Sequence, residues 1–140
     1  MTGFWGVLYT LGRREVRDMD LREKIFAYAK ERYGTSPEYL WKRDPASAVL
    51  RNGRNRKWYA IAMTVPRQRL GLGPGGMDPV DVINVKVDPD LLVQMIQADG
   101  FLPGYHMDKR YWMTILLDGS VGEGQILDLL DMSYGLVDER

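Results

Sequence analysis

The chain has 140 residues, 45% of them hydrophobic and none of them cysteine, and its 19 basic and 19 acidic side chains leave a formal net charge of +0. That length and apolar content suffice for one domain burying about two-thirds of its unfolded surface, and no apolar run approaches the ~20 residues of a membrane-spanning helix. The lack of cysteine excludes disulfides, thiolate metal sites and cysteine nucleophiles, and fits a reducing, cytoplasmic setting.

Residues 1–19 read as an N-terminal extension, because the apolar FWGVLYT gives way to the charged GRREVRD without a helical stripe. The apolar stretch also lacks the basic lead and small-residue cleavage site of a signal peptide. A single domain is expected over 20–140. It opens with a helix from Leu21 to Tyr33, where Asp20 and Glu23 have capping-box spacing, Leu21, Ile25, Tyr28 and Ala29 share a face, and Gly34 stops the helix. A loop with two prolines then leads to a strand at Ala48 to Arg51, and Asn52-Gly53 signals a hairpin.

The return strand KWYAIAMTV, Lys57 to Val65, is apolar on both faces and so predicts an interior position in a sheet. The glycines and prolines of PRQRLGLGPGGMDP predict an irregular loop, followed by a β-branched strand from Val80 to Val87. Asp88-Pro89 starts a second helix carrying Leu91, Leu92, Met95 and Ile96, which ends before Gly100. After an irregular FLPGYHMDK comes a buried strand, Tyr111 to Leu117. Ser120 and Glu123 form a second capping-box spacing for a last helix expected to stop near Gly135. This order predicts an α+β two-layer sandwich, an antiparallel sheet with helices packed on it.

Several blocks carry a family likeness: YGTSPEYLW at Tyr33 to Trp41, KWYAIAMTVPR at Lys57 to Arg67, DVINVKVDP at Asp81 to Pro89, and above all FLPGYHMDKRYWMTILLDGSV at Phe101 to Val121 followed by LLDMSYGLV. Over about Met19 to Val137 they resemble the MmcQ/YjbR-like family. The resemblance implies a CyaY/YjbR-like fold, similar to the bacterial frataxin homologue, and a DNA-binding role through a double-wing arrangement. Where relatives carry M-N-K-x-H-W, this chain has Asp108 and Tyr111, so no role passes to those two positions.

Charge is unevenly placed. Eight basic side chains against Asp44 alone give Lys42 to Arg69 a charge of +7, whereas six acidic side chains against Arg140 give Asp118 to the end −5. The hairpin residues Arg51, Arg54, Arg56 and Lys57 are the strongest candidates for phosphate contact. The competing reading is a solvated turn that protects a sheet edge. Arg67 and Arg69 extend the patch only if the sheet brings both loops to one rim. Lys109 and Arg110 lie beside aromatic residues, a mixture suited to nucleic acid, or else they face water while Trp112 fills the core.

Gly71, Gly73 and Gly76 satisfy G-x-G-x-x-G, but a strand follows where a pyrophosphate site needs a helix, so the motif is rejected. His106, the only histidine, reads as a hydrogen-bonded structural residue, and Asp128 and Asp131 as ordinary helix surface rather than a metal site. No nucleophile–base set or metal spacing is present, so no enzyme, metal or small-molecule cofactor is expected. The expectation is a monomeric DNA-binding module, or alternatively a domain whose charge asymmetry matches a protein partner.

Overall fold

The capping box spelled by Asp20 and Glu23 is made in full. In a computed structural model, which describes residues 19–73 and 76–139, Asp20 Oδ1 accepts from the Glu23 N–H at 2.8 Å, and Glu23 Oε1 accepts from the Asp20 N–H at 3.1 Å. Helix α1, Leu21–Tyr33, runs from that cap to Gly34, whose φ of 73° supplies the left-handed stop. The expected extension lies outside the described residues except for Met19.

Strands β1 (Ala48–Arg51), β2 (Trp58–Pro66), β3 (Pro79–Lys86), β4 (Phe101–Pro103) and β5 (Trp112–Leu116) form one sheet in the order β1-β2-β3-β5-β4. Every pairing is antiparallel. Helix α2 (Pro89–Met95) follows β3, and helix α3 (Glu123–Asp138) closes the chain. The α+β expectation holds, and β2 lies inside the sheet as its doubly apolar sequence predicts.

Four local expectations fail for physical reasons. FLP is a strand, because Phe101 and Leu102 pair with Ile115 and Thr114 far along the chain. The Gly/Pro-rich loop begins with a 3₁₀ turn, Arg67–Leu70, ended by Gly71 at φ 74°. Helix α3 starts from Gly122 without a side-chain cap, since Ser120 Oγ turns back to Asp118 at 2.6 Å. It also runs through Gly135, because buried Val137 on the next turn continues the packed face.

The helices cover one face of the sheet, where Ile25, Ala29, Leu92, Ile126 and Leu130 meet Ala60, Ile83, Val85, Met113 and Ile115. A β-bulge sets the pattern at the start of β2. Leu50 faces Ala60 but Arg51 faces Trp58, leaving Tyr59 as the extra residue. Tyr59 thus joins the helix-side core, with its ring edge-on to Tyr33 and Tyr134 at 5.4 and 5.0 Å. The regular β2–β3 pairing stops at Ala60 and Val85. Beyond it the buried Ser133 hydroxyl donates to the Tyr59 carbonyl at 2.6 Å and accepts from the Lys86 N–H at 2.9 Å.

Ser133→Ala leaves that carbonyl and N–H buried without partners, which costs about 2–4 kcal/mol. A denaturant titration should show a lower midpoint at an unchanged slope.

The tyrosine cluster couples folding stability to alkaline pH. Burial raises the Tyr59 phenol to about 12, against the opposing hydrogen bond with Thr35. Burial, then the hydrogen bond it donates to Asp131, likewise raises Tyr33. A phenol whose folded value exceeds its unfolded value of 10.0 contributes its full stability below that pH. For Tyr59 the contribution is lost as pH rises through about 12. The denaturation midpoint should therefore fall over this window, with delayed phenolate absorbance in the native protein.

Candidate nucleic-acid interface

The hairpin between β1 and β2 is wider than Asn-Gly spacing predicts, running from Asn52 to Lys57. It closes through Asn52 N–H to Lys57 O at 2.8 Å and Arg56 N–H to Asn52 O at 2.9 Å, and Arg56, not Gly53, takes the left-handed conformation at φ 66°. Asn52 itself is buried. Its Oδ1 accepts from the Arg54 and Asn55 N–H groups at 2.8 and 3.2 Å, and its Nδ2 donates to Asp138 Oδ1 at 2.7 Å. Asn55 Nδ2 adds a bond to the Val137 carbonyl at 2.9 Å. The loop is thereby pinned to the last turn of α3.

Most of the sequence-selected cations have carboxylate partners. Arg51 and Arg56 approach Glu38 at 3.3 and 3.0 Å, Arg54 meets Asp138 at 3.0 Å, Arg67 meets Asp118 at 3.3 Å, and Arg110 meets Asp108 at 2.8 Å. The Arg51 guanidinium also lies 5.8 Å from the Trp58 ring centroid. Hydrogen bonds from the Arg110 side chain and backbone hold Asp108 down at about 2, and those from Asn52 and Arg54 lower Asp138. Lys109 Nζ donates to the Gly104 carbonyl at 3.0 Å. Lys57 and Arg69 are in no ion pair with a described residue.

The sheet divides these residues into two groups. The hairpin, the end of β3 and the start of β5 lie at one end, with Lys86 opposite Trp112 in the ladder. A groove of about 430 Å³ there is lined by Lys57, Lys86, Asp88, Tyr111 and the α3 residue Val137. Tyr111 is 42% exposed, and Lys86 Nζ lies 5.9 Å from the Trp112 ring centroid. Arg67 and Arg69 follow the far end of β2, about 30 Å away at ~3.4 Å per residue. The loops do not reach one rim.

Lys86 escaped the sequence reading, though it occupies the final position of a strand ending beside the hairpin. The rejected glycine motif does run into β3 rather than a helix. Trp112 is buried while Lys109 and Arg110 are exposed. His106 differs from expectation: it is exposed at φ 58°, its ring against Tyr105 at 4.0 Å, without a side-chain hydrogen bond among the described residues. Asp131 accepts from Tyr28, Tyr33 and Arg32, which commits it to linking α1 and α3.

A family model described as YjbR matches residues 30–136, well over half the chain. The chain belongs to the YjbR family. It is 42% identical over 115 residues to the uncharacterized protein YyaQ of Bacillus subtilis, covering 82% of this chain and 96% of YyaQ. It is 36% identical over 53 residues to the uncharacterized protein YjbR of Escherichia coli strain K12, covering 37% of this chain and 45% of that one. A crystal structure of a Pseudomonas syringae protein matches with TM-score 0.78 at 38% identity, over 82% of this chain and 97% of that one. A Deinococcus radiodurans protein matches with TM-score 0.67 at 25% identity, over 87% and 81%.

Within this YjbR-family fold the hairpin is held chiefly by Asn52, because exposed ion pairs contribute only about 0–1 kcal/mol. Asn52→Ala should cost about 2 kcal/mol by leaving several groups unpartnered, whereas Arg54→Ala should cost under about 1 kcal/mol. Comparing the two denaturation midpoints tests this ranking.

Proposed function

We propose that the chain binds nucleic acid through its phosphate backbone, with little sequence preference, using the hairpin end of the sheet. The observation that carries this reading is the convergence of Lys57, Lys86 and exposed Tyr111 on one groove, beside the hairpin that presents Arg54 and Arg56. A lysine is a point charge suited to phosphate, and an exposed aromatic ring next to it offers a base a stacking surface.

The ion pairs of Arg54, Arg56 and Arg110 do not oppose this. Pairs this exposed are weak, and a phosphate can replace the carboxylate partner at little net cost. They do limit affinity, as does the zero net charge. Arg67 and Arg69 fall outside this contact.

With about four phosphates neutralised, the plot of log affinity against log salt should have a slope of about −3.6. Anisotropy of a labelled random duplex and the matching single strand, titrated at low and moderate salt, measures it. The Lys57→Ala/Lys86→Ala variant should weaken binding and reduce the slope by about two. Arg67→Ala, at the opposite end of the sheet, should behave as wild type. No binding at low salt sinks the proposal and turns attention to protein partners.

A further inference from the structure

The sheet face away from the helices carries a second groove, built from different residues. Among the described residues this face is covered by loops and the 3₁₀ turn rather than by α-helices. Leu70 and Leu72 pack over Val65, Val80, Val82 and Leu116, while Met107 packs near Val49, Ile61 and Trp112. Between these loops an open cavity of about 280 Å³ is lined by Trp41, Trp58, Ile61, Met63 and Met107, with Asp44, Ser47 and His106 at its polar edge. A second cavity of about 320 Å³ shares the wall of Asp44, Met63 and His106 and adds Arg43 and Arg69. The first falls just under and the second just inside the range of about 300–1,000 Å³ typical of small-molecule sites, and the first is mostly apolar with a few polar groups at its edge.

The shared wall is held firmly. Gly104 N–H donates to the Trp112 carbonyl at 2.9 Å, and a Cβ there would stand 2.8 Å from that oxygen, so only glycine permits the approach. Tyr105 N–H then donates to Thr114 Oγ1 at 2.8 Å, and Asn84 Nδ2 donates to the Tyr105 carbonyl at 3.2 Å. Asn84 and Thr114 are fully buried and bonded to each other. This network lays Tyr105 to Met107 across the sheet and holds exposed His106 in the left-handed region, a conformation that costs a non-glycine residue on the order of 1 kcal/mol or more.

The lining defines the ligand. The Trp41 and Trp58 rings meet edge to face, with centroids 6.0 Å apart, and present aromatic surface to a flat ring. Asp44, whose carboxylate accepts from Ser47, is an acceptor for an N–H donor. Arg43 and Arg69 are in no ion pair with a described residue and call for an anion. We propose that this groove binds a free nucleoside monophosphate, with its base among Trp41, Trp58 and Met107, its N–H edge at Asp44 and His106, and its phosphate at Arg43 and Arg69.

The test is a ¹⁵N–¹H correlation titration of the full chain with AMP, GMP, CMP and UMP, with adenosine and a single-stranded oligonucleotide as separate arms. At least one mononucleotide should give saturable shifts of the Trp41 and Trp58 indole N–H signals, while that of buried Trp112 stays in place. Removing the phosphate should weaken binding about tenfold, and Arg43→Ala/Arg69→Ala should reduce AMP to the adenosine level. Both arginines are exposed or at the surface end of the 3₁₀ turn, so the variant should fold, and Trp41→Ala provides a second exposed-site probe.

No saturable shift from any mononucleotide overturns the proposal. So do shifts that map to Lys57 and Lys86, and binding seen with the oligonucleotide alone. Because the rim lysines take no part, this result and the anisotropy result can fail independently.

Discussion

Between Tyr59 and Lys86 the ladder of the sheet is interrupted, and one hydroxyl from α3, that of Ser133, closes the gap. Much else depends on this plug. The bulge at Tyr59 is tolerable only because the carbonyl it frees has a partner in a fully buried place. Turned inward, Tyr59 completes the ring cluster in which Tyr33 stacks on Tyr134 at 4.0 Å, and so joins α1, β2 and α3. The same contact fixes how far α3 extends along the sheet. Its last turn therefore arrives beside the hairpin, where Asn52 and Asn55 hold Asp138 and Val137.

That arrival changes the meaning of the charge pattern. Along the chain, a basic middle and an acidic end resemble a dipole awaiting an external partner. In the fold the two segments meet each other, through Arg54 with Asp138 at one end of the sheet and Arg67 with Asp118 at the other. Glu38 offsets two further arginines. Among the basic side chains in no ion pair with a described residue are Lys57 and Lys86 at the hairpin end, and Arg43 and Arg69 on the loop-covered face.

How much of this the sequence discloses depends on the range of the interactions involved. The cap, face and stop of α1 lie within one helix and are legible from Asp20, Glu23 and Gly34. The same kind of spacing misleads at Ser120, because nearby Asp118 competes for the hydroxyl. Strand β4 is hidden because three residues carry no periodicity, and the pairing that makes them a strand is supplied by β5. At the hairpin, Asn52 marks the turn correctly, yet its buried side chain binds a residue 86 positions away, which no local pattern encodes. The eight selected cations are basic and mostly exposed, as composition implies. Their pairing and their separation into two groups follow only from sheet order. The loop-covered groove draws on four separate stretches of chain, and its one visible trace is the second apolar face of KWYAIAMTV.

The nine-residue length of β2 has an electrical consequence. It holds the hairpin and the Arg67–Arg69 turn about 30 Å apart, whereas at physiological salt the screening length is only about 8 Å. Charge bound at one end is therefore almost invisible at the other. The molecule is not one weakly charged body but two insulated terminals on a stiff spacer, and an anion at either leaves the affinity of the other nearly unchanged unless the sheet itself deforms.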